Sequence, residues 1–225
     1  MIRRALKKEF EKGRAVFYLF AAVPVALAVS HPLPAAFTPF ISAAFAFPVF
    51  FYYVRRENYQ SAFVMTAIWA AFQFVAASLM AVMDPAGMTG RLGAPGSIHA
   101  PFAYMQWGTG EFQRFARMMA DAVYCAALAG ISGGAFFLAI LAVKLNDAAL
   151  TFGRSVHGSA GFWGALTVFK FAKLALWAGQ TLFAMGPSAV FYMKLEGRQV
   201  KFMRPLAVMA LGTLLILLVG LFGEV

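Results

Sequence analysis

Residues 59–83 read YQSAFVMTAIWAAFQFVAASLMAVM, a run of 25 residues without a single Asp, Glu, Lys or Arg. A helix needs about 20 mainly apolar residues to cross the hydrocarbon layer of a bilayer, because each residue adds only about 1.5 Å of length. This run is long enough, and Gln73 is the one strongly polar residue in its interior. The run therefore predicts a transmembrane helix.

The composition of the whole chain indicates the same surroundings. Of the 225 residues, 62% are hydrophobic and only 12% are charged, whereas soluble domains carry about 25% charged and about 45–50% apolar residues. So few charges could not build the polar surface of a soluble domain. Because the basic residues stand at the ends of apolar runs, the net charge of +10 suits anionic headgroups of a lipid bilayer. We therefore expect that bilayer as a partner, and no nucleic acid.

Five further apolar segments continue the pattern. The first two flank a turn at residues 31–34 and contain Pro24, Pro39 and Pro48, so they predict a Pro-broken N-terminal helical hairpin. The predicted fold class is all-α, a polytopic transmembrane helical bundle of about six membrane helices. The five segments run from about Ala15 to Ser30, Ala35 to Val54, Arg117 to Lys144, Ala160 to Met193 and Pro205 to Phe222.

The distribution of charge predicts a domain organisation and an orientation. Residues 1–14 hold six Lys or Arg and are expected to form a cytoplasmic amphipathic segment ahead of a single transmembrane domain, residues 15–225. Since positive residues favour the cytoplasmic side, the N-terminus is placed in the cytoplasm, and the expected location is a bacterial cytoplasmic (inner) membrane. Residues 84–113, rich in Gly and Pro, are predicted as an extracytoplasmic loop, and residues 145–158 as a polar connection inside.

The 34 residues of segment 160–193 leave two alternatives. Length favours a single span preceded by an interfacial helix at about residues 161–173. The basic residues at 194–204 favour a hairpin instead, because a hairpin would return them to the cytoplasm. We favour the single span, and with it six helices and both termini in the cytoplasm.

Ionisable side chains inside membrane segments are costly and are therefore the first candidates for a site. Arg117 and Asp121 stand four residues apart on one helix face, where they could form the charged mouth of a solute path or an interfacial ion pair. Lys170 and Lys173, with Gln180 beyond them, could bind an anion or headgroup, or simply snorkel to the interface. These five residues are the candidate solute or headgroup contacts.

A second pattern concerns helix packing. Ala122, Ala126, Gly130 and Gly134 recur every four residues, so they predict a stripe of small residues at which two helices approach closely. The stripe could face a partner subunit or another helix of the same chain, and the second alternative is favoured.

No motif in the sequence indicates catalysis or a cofactor. Cys125 is the single cysteine and so makes no intrachain disulfide. The three histidines lie outside the predicted spans, where they could not hold a haem between helices. We therefore predict no catalytic residue, metal or cofactor, and do not favour an enzyme.

Two functions remain after these exclusions. One is a permease-like or channel-like transport component that works as a homo-oligomer or with other membrane subunits. The alternative is a non-catalytic structural or assembly subunit of a larger membrane complex, which the scarcity of polar residues in the spans would suit.

Overall fold

A computed structural model describes residues 2–34, 37–92, 110–158, 161–168 and 172–222, with side chains at these positions except 2–11, 89–92, 111 and 167–168. Nine helices and no strand occur within these ranges. They are α1 (Ile2–Ser30), α2 (Thr38–Arg55), α3 (Tyr59–Met83), α4 (Pro85–Leu92), α5 (Glu111–Ser132), α6 (Ala135–His157), α7 (Gly161–Val168), α8 (Ala172–Leu195) and α9 (Met203–Phe222).

The predicted fold class, an all-α transmembrane helical bundle, is confirmed. Six helices in the described part of the chain are long and apolar enough to cross a bilayer, namely α1 from Lys12 onward, α3, α5 from Phe112 onward, α6, α8 and α9. Helix α2 has 18 residues, which is about 27 Å of helix. It packs among the other long helices, against α1, α3 and α6.

The N-terminal pair of helices is present as predicted, but proline breaks neither helix. Helix α1 is continuous through Pro24, so the basic N-terminal segment and the first span belong to one helix. In the turn that follows, the Leu33 amide donates to the Ser30 carbonyl over 3.0 Å. Helix α2 then begins with Pro39 in its first turn, where a missing N–H costs no helical hydrogen bond. It continues through Pro48.

The segment predicted as one helix from Arg117 to Lys144 consists of two helices, and that prediction is wrong. Helix α5 ends at Ser132 and α6 begins at Ala135. Between them Gly133 and Gly134 have φ angles of 62° and 101°, values that residues with a Cβ rarely adopt. The two helices fold back against each other. Residues 145–157 belong to α6 and Gly158 caps its C-terminal end, so the prediction of a polar connection at 145–158 is also wrong.

Two other regions can be compared with their predictions, the loop at 84–113 and the segment 160–193. The predicted loop at 84–113 starts with helix α4 and ends within the first turn of α5, while residues 93–109 lie outside the described residues. In the region 160–193, α8 is one continuous helix through Pro187, with the eight-residue α7 ahead of it. The favoured single span with a short leading helix is therefore confirmed, and the hairpin alternative is wrong.

The fold-back at Gly133-Gly134 sets the direction of every later helix. Residues 55–58 and 194–204 lie together, joined by the Arg55–Glu196 ion pair and by Arg198 Nη1, 3.5 Å from Glu57 Oε1; we call this the basic end. At the opposite end, His157 Nδ1 lies 3.2 Å from the Val82 carbonyl oxygen. Helices α2, α5 and α8 run toward the basic end, and the other long helices run away from it. The described chain thus begins and ends at opposite ends of the bundle, not on one side as expected.

Small residues bring several helices into direct backbone contact. A Cβ added at Gly212 of α9 would lie 2.6 Å from the Gly179 carbonyl oxygen of α8. One added at Gly153 of α6 would lie 3.0 Å from the Ser78 carbonyl oxygen of α3. Close approach of this kind is how helices pack in lipid, where burial of apolar surface drives association weakly. Helix α6 occupies the centre, packed against α2, α3, α5 and α7.

Candidate functional site

Three polar side chains from three helices meet in the middle of the bundle. Lys144 Nζ of α6 donates to Asp121 Oδ2 of α5 over 2.6 Å and to Gln180 Oε1 of α8 over 2.9 Å. Gln180 Nε2 donates to the same Asp121 Oδ2 over 2.7 Å. Each side chain therefore contacts both of the others. We call Asp121, Lys144 and Gln180 the charged cluster.

The charged cluster lies deep within the spans. Asp121 precedes Gly133 by 12 residues and Lys144 follows Gly134 by 10, so the fold-back places both at about 15–18 Å from the turn along their helices. The side chains of Lys144 and Asp121 are 10% and 20% exposed, and Gln180 is 1% exposed. Charges at this depth are expensive and commonly mark functional positions, and the opposite charges reduce the cost by compensating each other.

A second set of polar side chains lies at about the same depth in the bundle. Ser42 of α2 donates through its hydroxyl to Gln73 Oε1 of α3 over 3.2 Å. Gln73 Nε2 donates to Asn146 Oδ1 of α6 over 2.8 Å, and both of these amides are fully buried. We call Ser42, Gln73 and Asn146 the amide cluster. It ties α2 and α3 to α6 as the charged cluster ties α5 and α8.

Helix α6 carries one member of each cluster. Lys144 and Asn146 are two residues apart, which is about 200° around a helix, so they occupy opposite faces at nearly the same height. Two atoms of these clusters accept or donate no hydrogen bond among the described residues, Asp121 Oδ1 and Asn146 Nδ2. Each cluster thus has one polar atom available for a further hydrogen bond.

A cleft lies beside the charged cluster. It has a volume of about 230 Å³ and is formed by α2, α5 and α6. Tyr124 and Ile140, which line it, stand one helical turn from Asp121 and Lys144 respectively. The remaining lining is apolar, with Phe40 and Phe136 at its edge. The cleft is therefore largely apolar and lies about one helical turn from the charged cluster, whose own side chains do not line it.

The candidate contact residues do not all lie together in the structure. Asp121 does not pair with Arg117 as predicted, because its carboxylate is turned to Lys144, and Arg117 is exposed on α5. Gln180 is buried in the charged cluster, whereas Lys173 is exposed near the start of α8. Lys170 lies outside the described residues. Of the four candidates that the structure describes, it brings together Asp121 and Gln180.

The small-residue stripe is used within the chain. Ala122 and Ala126 are buried, and a Cβ added at Gly130 would lie 3.3 Å from Pro187 Cβ of α8. Helix α5 thus turns this face toward α8. Gly134 is not part of the stripe, because it lies in the turn between α5 and α6.

Sequence reasoning misses Lys144, Gln73 and Asn146 as site residues. Lys144 and Asn146 stand in or beside a region predicted as a polar connection, so neither is expected to be a buried group. The signal that could have found them is Gly133-Gly134: a break there divides the long run into two spans with Asp121 and Lys144 at matching heights.

Comparison with known proteins found no matching family model, no matching curated protein and no matching solved structure. Among the described residues, no three His, Cys, Asp or Glu side chains lie close enough to hold a metal ion. The functional conclusion therefore depends on the charged cluster and on the faces of the bundle.

Proposed function

We propose that this protein is a transport component of a membrane and that Asp121, in the charged cluster, is a proton-binding site on its path. The observation that carries the proposal is a Lys144–Asp121 ion pair of 2.6 Å midway along two membrane-spanning helices. Ionisable residues at such depth are rare outside transport paths and proton relays. The apolar cleft one helical turn away lies on the proposed route to the cluster, although none of the cluster residues lines it.

The chemistry of the cluster favours a proton over a metal cation. A metal cation of the alkali or alkaline-earth type needs several oxygen ligands, and the cluster offers only the oxygens of Asp121 and Gln180, next to the Lys144 ammonium that would repel a cation. A proton needs one acceptor. Asp121 Oδ1 is buried and accepts no hydrogen bond among the described residues, so it is the atom at which we propose that the proton binds.

Protonation of Asp121 would change the contacts among three helices. A neutral carboxyl no longer compensates Lys144, whose ammonium then depends on Gln180 Oε1, 2.9 Å away. The interaction that joins α5 to α6 weakens while that between α6 and α8 remains. Proton binding is therefore coupled to the relative position of these helices, which is what a transport cycle requires.

We further propose that the basic end faces the cytoplasm of a bacterial cell. The turns at this end hold six basic residues against two acidic ones, and the N-terminal part of α1 adds six more Lys or Arg. Cytoplasmic loops carry such an excess of positive charge. The N-terminus would then be cytoplasmic and the C-terminus extracytoplasmic.

The test is proton flux into proteoliposomes that contain the purified chain and a trapped pH-sensitive dye. A pH gradient with a potassium diffusion potential should drive dye acidification in the wild type. Asp121→Asn should lower the rate at least tenfold, whereas Arg117→Gln, on an exposed part of the same helix, should leave it unchanged. A wild type without flux at either sign of the potential, or an unaffected Asp121→Asn, would reject the proposal.

A charge exchange separates transport from mere stabilisation. The double variant Asp121→Lys with Lys144→Asp keeps an ion pair between α5 and α6 but moves the carboxylate to the other helix. Under the proposal it should fold, as judged by a single symmetrical peak in gel filtration, and lose proton flux. Flux at the wild-type rate would mean that the pair acts only in holding the helices.

One observation favours the alternative, a structural or assembly subunit working with other membrane proteins or as a homo-oligomer. The charged cluster makes three hydrogen bonds within the chain, so its polar groups can serve to fix helix packing without moving. Under this alternative, mild-detergent purification yields a defined complex of fixed stoichiometry, and the protein alone conducts no protons.

A further inference from the structure

An apolar groove lies at the basic end, away from the charged cluster. It has a volume of about 610 Å³ and is formed by the ends of α5 and α8 and the start of α9. Its wall is apolar apart from one charge, Lys194. Its lining includes Gly130, Pro187, Phe191, Pro205, Leu206 and Met209. We call it the apolar groove.

The rim of the apolar groove carries positive charge that is not paired with any acidic side chain among the described residues. Lys194 lines the groove and is exposed, and Lys201, also exposed, directly precedes the lining residue Phe202. Neither lysine makes an ion pair with any described residue, while the acidic groups of this end are engaged elsewhere. Glu196 pairs with Arg55 and Arg198, and Glu57 with Arg198 and Arg204.

We propose that the apolar groove binds one anionic phospholipid, with an acyl chain along α8 and α9 and the phosphate at Lys194 and Lys201. Complementarity of charge decides between the possible occupants. A helix of another membrane protein would gain nothing from two uncompensated lysines at the rim, and a free phosphate would gain nothing from the apolar wall. A lipid with a negative headgroup uses both, as basic pockets between membrane helices do.

The shape of the groove depends on two small features of its floor. Gly130 of α5 lacks a side chain where a Cβ would already lie 3.3 Å from Pro187 Cβ. Gly130 and Pro187 thus pack directly against each other, and neither carries a side chain that would extend from the floor into the groove. The side chain of Leu206, 54% exposed on α9, stands at the open edge and can be enlarged to close it.

Native mass spectrometry of the full chain in a mild detergent tests this proposal, with phosphatidylglycerol and phosphatidylcholine as the probes. The wild type should retain one phosphatidylglycerol in preference to phosphatidylcholine. Lys194→Gln and Lys201→Gln should each weaken phosphatidylglycerol binding about fivefold, the effect of one basic residue near an anionic surface. Lys173→Gln, an exposed lysine on the same helix α8, should leave binding unchanged.

A pair of tryptophan variants tests the acyl-chain part. Leu206→Trp should reduce the binding of both lipids by closing the groove, whereas Leu214→Trp, at a site of 52% exposure outside the groove on the same helix, should not. Glycerophosphate without acyl chains should not compete, which separates a lipid from a free phosphate. Three outcomes would each overturn the proposal. The wild type could bind the two lipids equally, the double variant Lys194→Gln, Lys201→Gln could bind phosphatidylglycerol as the wild type does, or the protein could form a dimer that Leu206→Trp dissociates.

Discussion

Removing the charge of Lys144 should expose how much the bundle depends on the charged cluster. In Lys144→Met an unbranched apolar side chain replaces the lysine stem, but Asp121 loses its cationic partner and retains only the hydrogen bond from Gln180. Breaking a buried ion pair by removing one partner costs about 3–5 kcal/mol, because the remaining charge is buried without compensation. The two side chains are 10% and 20% exposed, so we place the expected loss of stability at the lower limit, about 3 kcal/mol.

The double variant Asp121→Asn with Lys144→Met provides the sharper comparison. Asp121→Asn alone leaves the ammonium without a counter-charge and should also cost about 3 kcal/mol. With both changes together, no charge remains, and the new Asn can exchange hydrogen bonds with Gln180, so the double variant should lose only about 1 kcal/mol. The sum of the two single losses of stability therefore exceeds the loss in the double variant by about 5 kcal/mol, which is the coupling energy between the two sites.

The measurement is reversible unfolding in mixed micelles, followed by circular dichroism as the fraction of denaturing detergent is raised. All four proteins, the wild type, two single variants and the double variant, are compared in the same micelles. If the losses of the single variants add up to the loss of the double variant, the two charges do not interact. The 2.6 Å ion pair would then not explain the packing of α5 on α6.

Two further predictions concern the fold-back and its consequence. Gly134→Ala should destabilise the protein by about 1–3 kcal/mol in the same assay, because φ is 101° and an added Cβ would meet the ring of Phe50. The control is Gly13→Ala, which has no atom within 4 Å of the added Cβ and should be neutral or stabilising by up to about 1 kcal/mol. Equal effects of the two substitutions would contradict the assigned turn. A reporter fused after Val225 should lie on the opposite side of the membrane from one fused before Met1, and two reporters on the same side would contradict the direction assigned to α6 and later helices.

How far the sequence predicts this structure depends on which signal each element carries. Hydropathy and length identify α3 and α9 directly, since each is an apolar run of span length with polar residues at its ends. They fail at Gly133-Gly134, because two glycines inside an apolar run can equally belong to a close-packed helix. The sequence predicts about six membrane helices with α5 and α6 taken as one. Six described helices are long and apolar enough to cross a bilayer, and α2 also runs from one end of the bundle to the other, so the chain reverses direction once more than predicted.

The charged cluster is beyond sequence reasoning for a related reason. Asp121 and Gln180 can be named as unusual polar residues in apolar surroundings, but their common partner cannot. Pairing with Arg117 follows from the i, i+4 rule for one helix, whereas the observed partner lies 23 residues away along the chain. Only the direction of α6 brings Lys144 to Asp121, and direction is what hydropathy does not report.

The basic residues at 194–204 carry the missing information. They belong on the same side as Arg55 and Arg56, and with α5 and α6 taken as one span, this requires a hairpin within 160–193. A break at Gly133-Gly134 satisfies the same charges with α8 as a single span, and it is the break that the structure contains. The charge pattern therefore requires one additional reversal of chain direction, and it leaves open only the position of that reversal. Where a charge pattern and a span count conflict, a pair of glycines inside the longest apolar run is therefore the first place to divide it.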